Sequence, residues 1–205
     1  DDALDACVAE HYPVFIDLFR GYPKPVFRAD LGRYLLLHHF GGVYADIDTD
    51  CLRPLDVLCD EERIVVCEEP SAYWWHATRF GLRHLLFNGT LASPAGHSFW
   101  LYLAERAKRC WQGGARDVIW TTGPGLLTGA IDSWPDAGDF SINSCHLFTG
   151  DLKDGKPATD AVSGDYARTP LSRHDWAGTW HRVYVHERES LYKKCEGLAR
   201  KAWVR

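Results

Sequence analysis

The sequence predicts a single α/β domain spanning residues 1–205, with sheet and helix layers around one core. Three observations carry that expectation. Stretches with apolar residues three or four apart alternate with short apolar runs that suit strands. A chain of 205 residues is long enough for one substantial core and short for two. No internal repeat and no linker-like segment divides it.

Taken in order, residues 1–20 read as a helix on Leu4, Val8, Tyr12, Phe15 and Leu18, interrupted at Pro13. Gly21, Pro23 and Pro25 mark residues 21–27 as an extended linker. Residues 30–40 form the next helix, which Asp30 caps or precedes and Gly41-Gly42 terminates. Val43-Tyr44-Ala45 is a short buried strand running into Asp46-Ile47-Asp48-Thr49-Asp50. A short helical segment covers 55–58, and Ile64-Val65-Val66-Cys67 is the clearest strand. Residues 68–80 are loop-like. The stretch 82–90 closes on a turn at Asn88-Gly89. A helix over 98–110 follows the Pro94-Ala95-Gly96-His97 turn. Residues 121–125 form a loop ahead of a helix over 126–131. A short strand near His146-Leu147-Phe148 and a final helix over 180–203 complete the set.

Composition narrows the function classes. The chain is 46% hydrophobic and 25% charged, the mix of a globular domain. Its 23 basic and 28 acidic residues lack the basic footprint of a nucleic-acid binder. No run approaches the roughly 18 apolar residues of a membrane span. The chain opens at Asp1 and has no Met, so it reads as a fragment of a longer protein, other parts of which would carry any anchor. Seven Cys leave at least one unpaired within the chain; Cys51 and Cys59 flank the acidic run and could pair across a loop, while free, mostly buried Cys is the plainer reading. Nine Trp, several beside Gly-rich or polar segments, suit a core and equally a pocket that stacks on rings.

The acidic run holds the chemistry. If it extends the strand, Asp46, Asp48 and Asp50 share a face; if the chain turns, their carboxylates still lie close. Like charges so near repel, and a divalent cation relieves them through hard oxygen ligands. The strand's carboxyl end is also where ligands bind in open α/β sheets. One helix earlier, Asp30 and Arg33 stand three apart on one helical face, an acceptor beside a rigid donor.

Ala29-Asp30-Leu31-Gly32-Arg33-Tyr34, followed by Gly41-Gly42-Val43-Tyr44-Ala45-Asp46-Ile47-Asp48, resembles the DXD-containing sugar-transferase family. That family includes yeast initiating α-1,6-mannosyltransferases, sphingolipid mannosyltransferases and the catalytic domains of clostridial glucosylating toxins. Asn88, the segment from Ser93 to His97, Thr122-Gly123-Pro124 and the His174-to-Trp180 segment extend the likeness to about residues 10–180. The resemblance implies a GT-A-like fold, a mixed central sheet flanked by helices, here without the first nucleotide-binding strand. It implies a divalent ion, Mn²⁺ before Mg²⁺, and retaining transfer of a mannose- or glucose-type hexose. The donor would be GDP-mannose or a UDP-hexose and the acceptor a glycan, lipid or protein. By the same likeness Asp48 is the main metal ligand, joined by Asp46 and by His174, with Asp175 as the alternate. Asp30, Arg33, Tyr44, Asp46 and Asn88 face the donor, and Trp180 packs beside its diphosphate. A Golgi or other secretory-pathway membrane is the implied location where an anchor is supplied elsewhere.

Two other readings fit parts of the pattern. Asp46-Ile47-Asp48-Thr49 matches an Asp-x-Asp-x-Thr phosphotransferase, with Asp46 as nucleophile. An aromatic-rich carbohydrate-binding module without catalysis is the second, although it gives the acidic cluster no purpose.

Overall fold

The computed structural model describes residues 2–59, 61–70, 77, 81–150 and 170–175. The amino-terminal fifth is helical: α1 (Asp2–His11), a 3₁₀ turn at Pro13–Phe15, α2 (Ile16–Gly21) and α3 (Pro25–Phe40). Pro13 breaks the first helix as expected. The extended linker is shorter than expected, because Pro25 opens α3 instead of preceding it. A proline's fixed φ and missing N–H suit the first turn of a helix, where that N–H has no partner anyway. Asp30 therefore lies inside α3 and caps nothing. Gly41 and Gly42 end the helix at φ 63° and 78°. A Cβ on Gly41 would also stand 2.5 Å from the Ala95 backbone nitrogen, so the position is constrained twice.

The strands are β1 (Gly42–Ala45), β2 (Thr49–Cys51), β3 (Ile64–Glu68), β4 (Leu86–Ser93), β5 (Phe140–Asn143) and β6 (Ser172–His174). Four form a mixed sheet in the order β1-β4-β3-β5, and β2 pairs with β6 in a separate ribbon. β4 runs antiparallel to both β1 and β3, and β5 is parallel to β3. The carboxyl ends of β1, β3 and β5 therefore share one edge of the sheet. β1 is a half-exposed edge strand and not the buried one expected.

The remaining helices are α4 (Phe99–Gln112), α5 (Val118–Thr121), α6 (Pro124–Asp132) and α7 (His146–Thr149). The expected strand near 146–148 is thus a helical turn, and the strand lies just before it at β5. The apolar run of β3 is buried on both faces because both are covered. Ile64 and Val66 pack with Tyr34 and Leu37 of α3, Trp100 and Leu103 of α4 and Leu127 of α6. Val65 and Cys67 point the other way, toward Phe87, Phe148 and Leu171. Trp100 is fully buried, and its indole N–H donates to Ser93 Oγ at 2.8 Å, so neither its ring nor its polar atom is wasted. Trp120 is likewise buried, and Trp111 and Trp134 pack on core clusters. These four are the tryptophans among the described residues, and each is buried or packed on the core.

Asn88-Gly89 corrects another expectation. The pair does not close a turn; it sits inside β4. Between Val65 and Cys67 of β3, the facing positions on β4 move from Ala92 to Phe87, so β4 bulges where the turn-forming residues lie. Cys51 and Cys59 are both free, as in the plainer reading, and exposed instead of buried. His97 opens α4: its Nδ1 accepts the Phe99 N–H at 3.3 Å. Trp74, Trp75, Trp180 and the final helix lie outside the described residues. Among the described residues no helix is long and apolar enough to cross a membrane.

Candidate functional site

Two groups of side chains meet at the carboxyl end of β1, and Asp46 belongs to both. The first is built on α3. Asp30 and Arg33 are 3% and 5% exposed, and a charge so deeply buried must be paired and hydrogen-bonded. Arg33 Nη2 lies 3.0 Å from Asp30 Oδ1 and 3.3 Å from Asp46 Oδ1. Its Nη1 donates to the Asn88 carbonyl. The guanidinium also sits over the Tyr44 ring, 4.8 Å from the centroid. Asn88 donates from Nδ2 to Asp30 Oδ1 at 3.1 Å, and Thr122 donates to Asp30 Oδ2 at 2.8 Å.

The second group forms where β1 turns into β2. The chain does turn after Asp46: the Thr49 N–H donates to the Asp46 carbonyl at 3.0 Å, leaving Ile47 fully exposed at the tip. Asp46 is anchored by its own N–H, which donates to the Gly89 carbonyl at 2.7 Å. Its Oδ1 accepts from the Tyr44 hydroxyl at 2.8 Å and faces Arg33, so its Oδ2 is directed toward His174. The β2–β6 pairing sets Thr49 opposite His174, and the Asp175 N–H donates to the Asp48 carbonyl at 2.9 Å. His174 Nε2 thereby comes within 3.1 Å of Asp48 Oδ1 and 3.9 Å of Asp46 Oδ2.

Electrostatics separate the two groups. Burial pushes the Asp30 carboxyl above the ordinary range, while Arg33 and the Thr122 and Asn88 hydrogen bonds pull it back. For Asp46 burial works in the same upward direction, but the His174 hydrogen bond, the Arg33 charge and the Tyr44 hydroxyl outweigh it and hold it below its usual value. Asp30 and Asp46 face the Arg33 guanidinium while Asp48 faces His174, so three carboxylates stand beside one guanidinium, an excess of two negative charges. A divalent cation cancels that excess. The donor set fits one: a ligand atom from each of Asp46, Asp48 and His174 lies within 4.8 Å of the others. Ligands about 2.2 Å from a shared ion stand at most about 4.4 Å apart, so a closure of a few tenths of an ångström suffices.

The structure therefore gathers Asp30, Arg33, Tyr44, Asp46, Asp48, Asn88 and His174. It leaves Asp175 out: that side chain is exposed and 3.6 Å from Arg173 Nε. Asp50 also points away, paired with Arg173 across the ribbon. Trp180 lies outside the described residues. Sequence reasoning missed three contributors. Gly89 makes room for two neighbours at once, since a Cβ there would stand 2.4 Å from the Phe87 ring and 3.0 Å from Asp46 Oδ2. Phe87 in turn meets the His174 ring edge-on at 5.1 Å. Thr122, expected only within the loop ahead of the next helix, reaches Asp30 through its hydroxyl, and the cap of α6 is Gly123. An Asn-Gly pair within an apolar run was the available signal for a bulge at Gly89.

Residues 4–65 match the family described as the glycosyltransferase sugar-binding region containing DXD motif. Over that stretch the chain resembles this family. The mannosyl phosphorylinositol ceramide synthase CSH1 of Saccharomyces cerevisiae is 30% identical over 127 residues, 60% of this chain and 30% of that protein. The synthase SUR1 of the same yeast is 51% identical over 58 residues, 28% of this chain and 15% of that protein. The initiation-specific alpha-1,6-mannosyltransferase of Candida albicans is 41% identical over 69 residues, 32% of this chain and 18% of that protein. The chain thus spans about a third of its first curated relatives. Among solved structures, PaToxG Glycosyltransferase aligns with a TM-score of 0.42 and 20% identity, over 61% of this chain and 40% of that one. The family resemblance expected from the sequence holds, as does the mixed α/β architecture.

Proposed function

We propose that this chain is the catalytic domain of a metal-dependent, retaining glycosyltransferase that moves a hexose from a nucleotide diphosphate sugar to a glycan, lipid or protein acceptor. The observation that carries the reading is Asp46, which joins a buried Asp30–Arg33–Asn88 network to the Asp46–Asp48–His174 cluster. A nucleotide sugar has the matching division, with a diphosphate for a cation and a sugar for fixed donors and acceptors.

In this reading Asp48 and His174, with Asp46 Oδ2, hold Mn²⁺, or Mg²⁺ in its place. When bound, the ion neutralises charge on the departing diphosphate. Carboxylates and one imidazole are a donor set that Mn²⁺ accepts. Arg33 and Asn88 offer donors to sugar hydroxyls and Asp30 an acceptor, each held by partners that leave little freedom to reorganise. Tyr44 orients Asp46 through its hydroxyl and carries the Arg33 guanidinium on its ring. Trp180 is assigned to the diphosphate on the sequence resemblance alone. The names of the yeast relatives favour mannose, and so GDP-mannose, ahead of a UDP-hexose; they also favour a glycolipid or glycan acceptor.

The phosphotransferase alternative requires Asp46 to attack phosphate. One of its oxygens is already engaged by Tyr44 and Arg33 and the other faces His174, which favours a bridging role. The deciding experiment screens GDP- and UDP-hexoses for Mn²⁺-dependent hydrolysis and transfer with the full-length protein. Release of the nucleoside diphosphate from one donor, abolished by chelation, is the expected result. Metal-independent phosphate release with a trapped aspartyl phosphate would replace the reading with the alternative.

A further inference from the structure

We infer that Thr122 is a positioning residue for the donor-sugar network, its hydroxyl fixing the Asp30 carboxylate that Arg33 and Asn88 share. The inference rests on the function proposed above and adds a residue from the far side of the fold. Thr122 lies outside the matched sugar-binding region and 92 positions from Asp30.

The geometry has three parts. First, the hydroxyl is the donor found on Asp30 Oδ2, at 2.8 Å, while Oδ1 takes both Arg33 Nη2 at 3.0 Å and Asn88 Nδ2 at 3.1 Å. With donors on both oxygens the carboxylate cannot rotate about its terminal bond without losing one. Second, Thr122 is itself held. Its carbonyl accepts the Tyr34 hydroxyl at 2.6 Å, and that hydroxyl also stands 3.4 Å from Asn88 Nδ2. Its N–H donates to the Val118 carbonyl at 3.1 Å, and the Gly123 N–H shares that acceptor at 2.8 Å. A Cβ on Gly123 would come within 2.9 Å of the same oxygen, so this tight α5–α6 junction depends on glycine. Third, Thr122 and Asp30 are 0% and 3% exposed, so water cannot replace a missing donor without an opening in the core.

The consequence runs through Arg33. Its Nη2 serves Asp30 and Asp46 together, so a carboxylate that turns draws the guanidinium off its position between them. Thr122 thus acts first on the sugar side of the site, and the metal cluster is reached only through Asp46 Oδ1, the oxygen turned away from His174.

The test uses full-length protein with Thr122→Val, which keeps the shape and removes the donor, and Thr122→Ser, which keeps the donor. Three quantities are measured: Mn²⁺ affinity, affinity for the bare nucleoside diphosphate with Mn²⁺, and affinity and turnover for the nucleotide sugar the wild type hydrolyses. A hydrogen bond to a buried charge is worth enough to expect a loss of about tenfold or more in kcat/KM for the valine variant. Mn²⁺ and diphosphate affinities are expected to stay within about twofold, and serine to restore most of the loss. If the valine variant does not fold, Thr122→Ala against Thr122→Ser makes the same comparison. A donorless variant with wild-type kcat/KM overturns the inference alone. Equal losses in serine and donorless variants, or a parallel loss of diphosphate binding, also overturn it by showing a merely structural role. A wild type that binds Mn²⁺ and nucleoside diphosphate but turns over no nucleotide sugar overturns the proposed function first.

Discussion

The Asp30–Arg33–Asn88 network and the Asp46–Asp48–His174 cluster lie side by side, yet they are built on opposite terms. The network is sealed from solvent, with Asp30 accepting on both oxygens and Arg33 spanning two carboxylates. The cluster is more open, with Asp46 and Asp48 side chains 27% and 25% exposed, and it gathers acid without a full complement of positive charge. Under the proposed function, a network whose geometry is already set suits a ligand that brings hydroxyls. An open, electron-rich cluster is ready for a cation, because its repulsion is relieved only when one arrives. Asp46 holds the two in register through separate oxygens.

Breaking the sealed side should have the largest effect. Arg33→Met leaves Asp30 and Asp46 buried against each other, and removing one member of a buried charge network costs about 3–5 kcal/mol. Denaturant unfolding would register this as a lower midpoint. An unchanged midpoint would mean the network is not a structural unit. Next comes Asp48→Asn. Turnover should fall by about 10²-fold or more and Mn²⁺ binding should be lost. Stability should hold or rise, because the change removes a like charge; a large drop in stability would erase the contrast between the two groups.

Gly89→Ala strikes the seam. Its Cβ would press on the Phe87 ring that meets His174 and on Asp46 Oδ2, and overpacking of this kind costs about 1–3 kcal/mol. Mn²⁺ affinity should weaken in parallel; unchanged affinity would show that Phe87 and Gly89 do not seat the cluster. The smallest effect is expected at His84, outside both groups. Its Nε2 is 3.5 Å from Asp132 and its Nδ1 is 3.4 Å from Glu68, and the Asp132 hydrogen bond leads in raising its pKa above the ordinary value. A raised folded-state pKa stabilises fully below about pH 6.5, and the benefit disappears as pH climbs through the folded value. With partners this exposed, the difference between wild type and His84→Gln should be about 0.5 kcal/mol or less. It should appear only on the acid side. Mn²⁺ binding by the variant should match the wild type, and a difference there would tie His84 to the site.

How far the site was legible depends on the kind of signal each residue leaves. Asp46 and Asp48 were legible because charge repeated at the end of an apolar run has no ordinary structural use. Arg33 and Asp30 were legible as a pair by helical spacing. Asn88-Gly89 was visible but misassigned: the same residues serve turns and bulges, and local sequence does not state which strand will lie alongside. Pro25 was misassigned for a similar reason, since proline marks a linker and a helix start alike. Thr122 was visible in the Thr122-Gly123-Pro124 likeness but its role was not, because its partner lies 92 positions away.

By itself the sequence determined the alternation of helices and strands, the strand at β3, the close spacing of the acidic run after β1 and the family that residues 4–65 resemble. Each follows from local periodicity, charge and spacing, which the chain carries wherever it folds. Tertiary structure alone decided that Asp50 and Asp175 turn away while His174 turns in. It also decided that Asp46 divides its two oxygens between a guanidinium and an imidazole. Those choices come from the β2–β6 register and the β4 bulge, and strand pairing is settled by the partner strand and the core it covers, not by the residues within one strand.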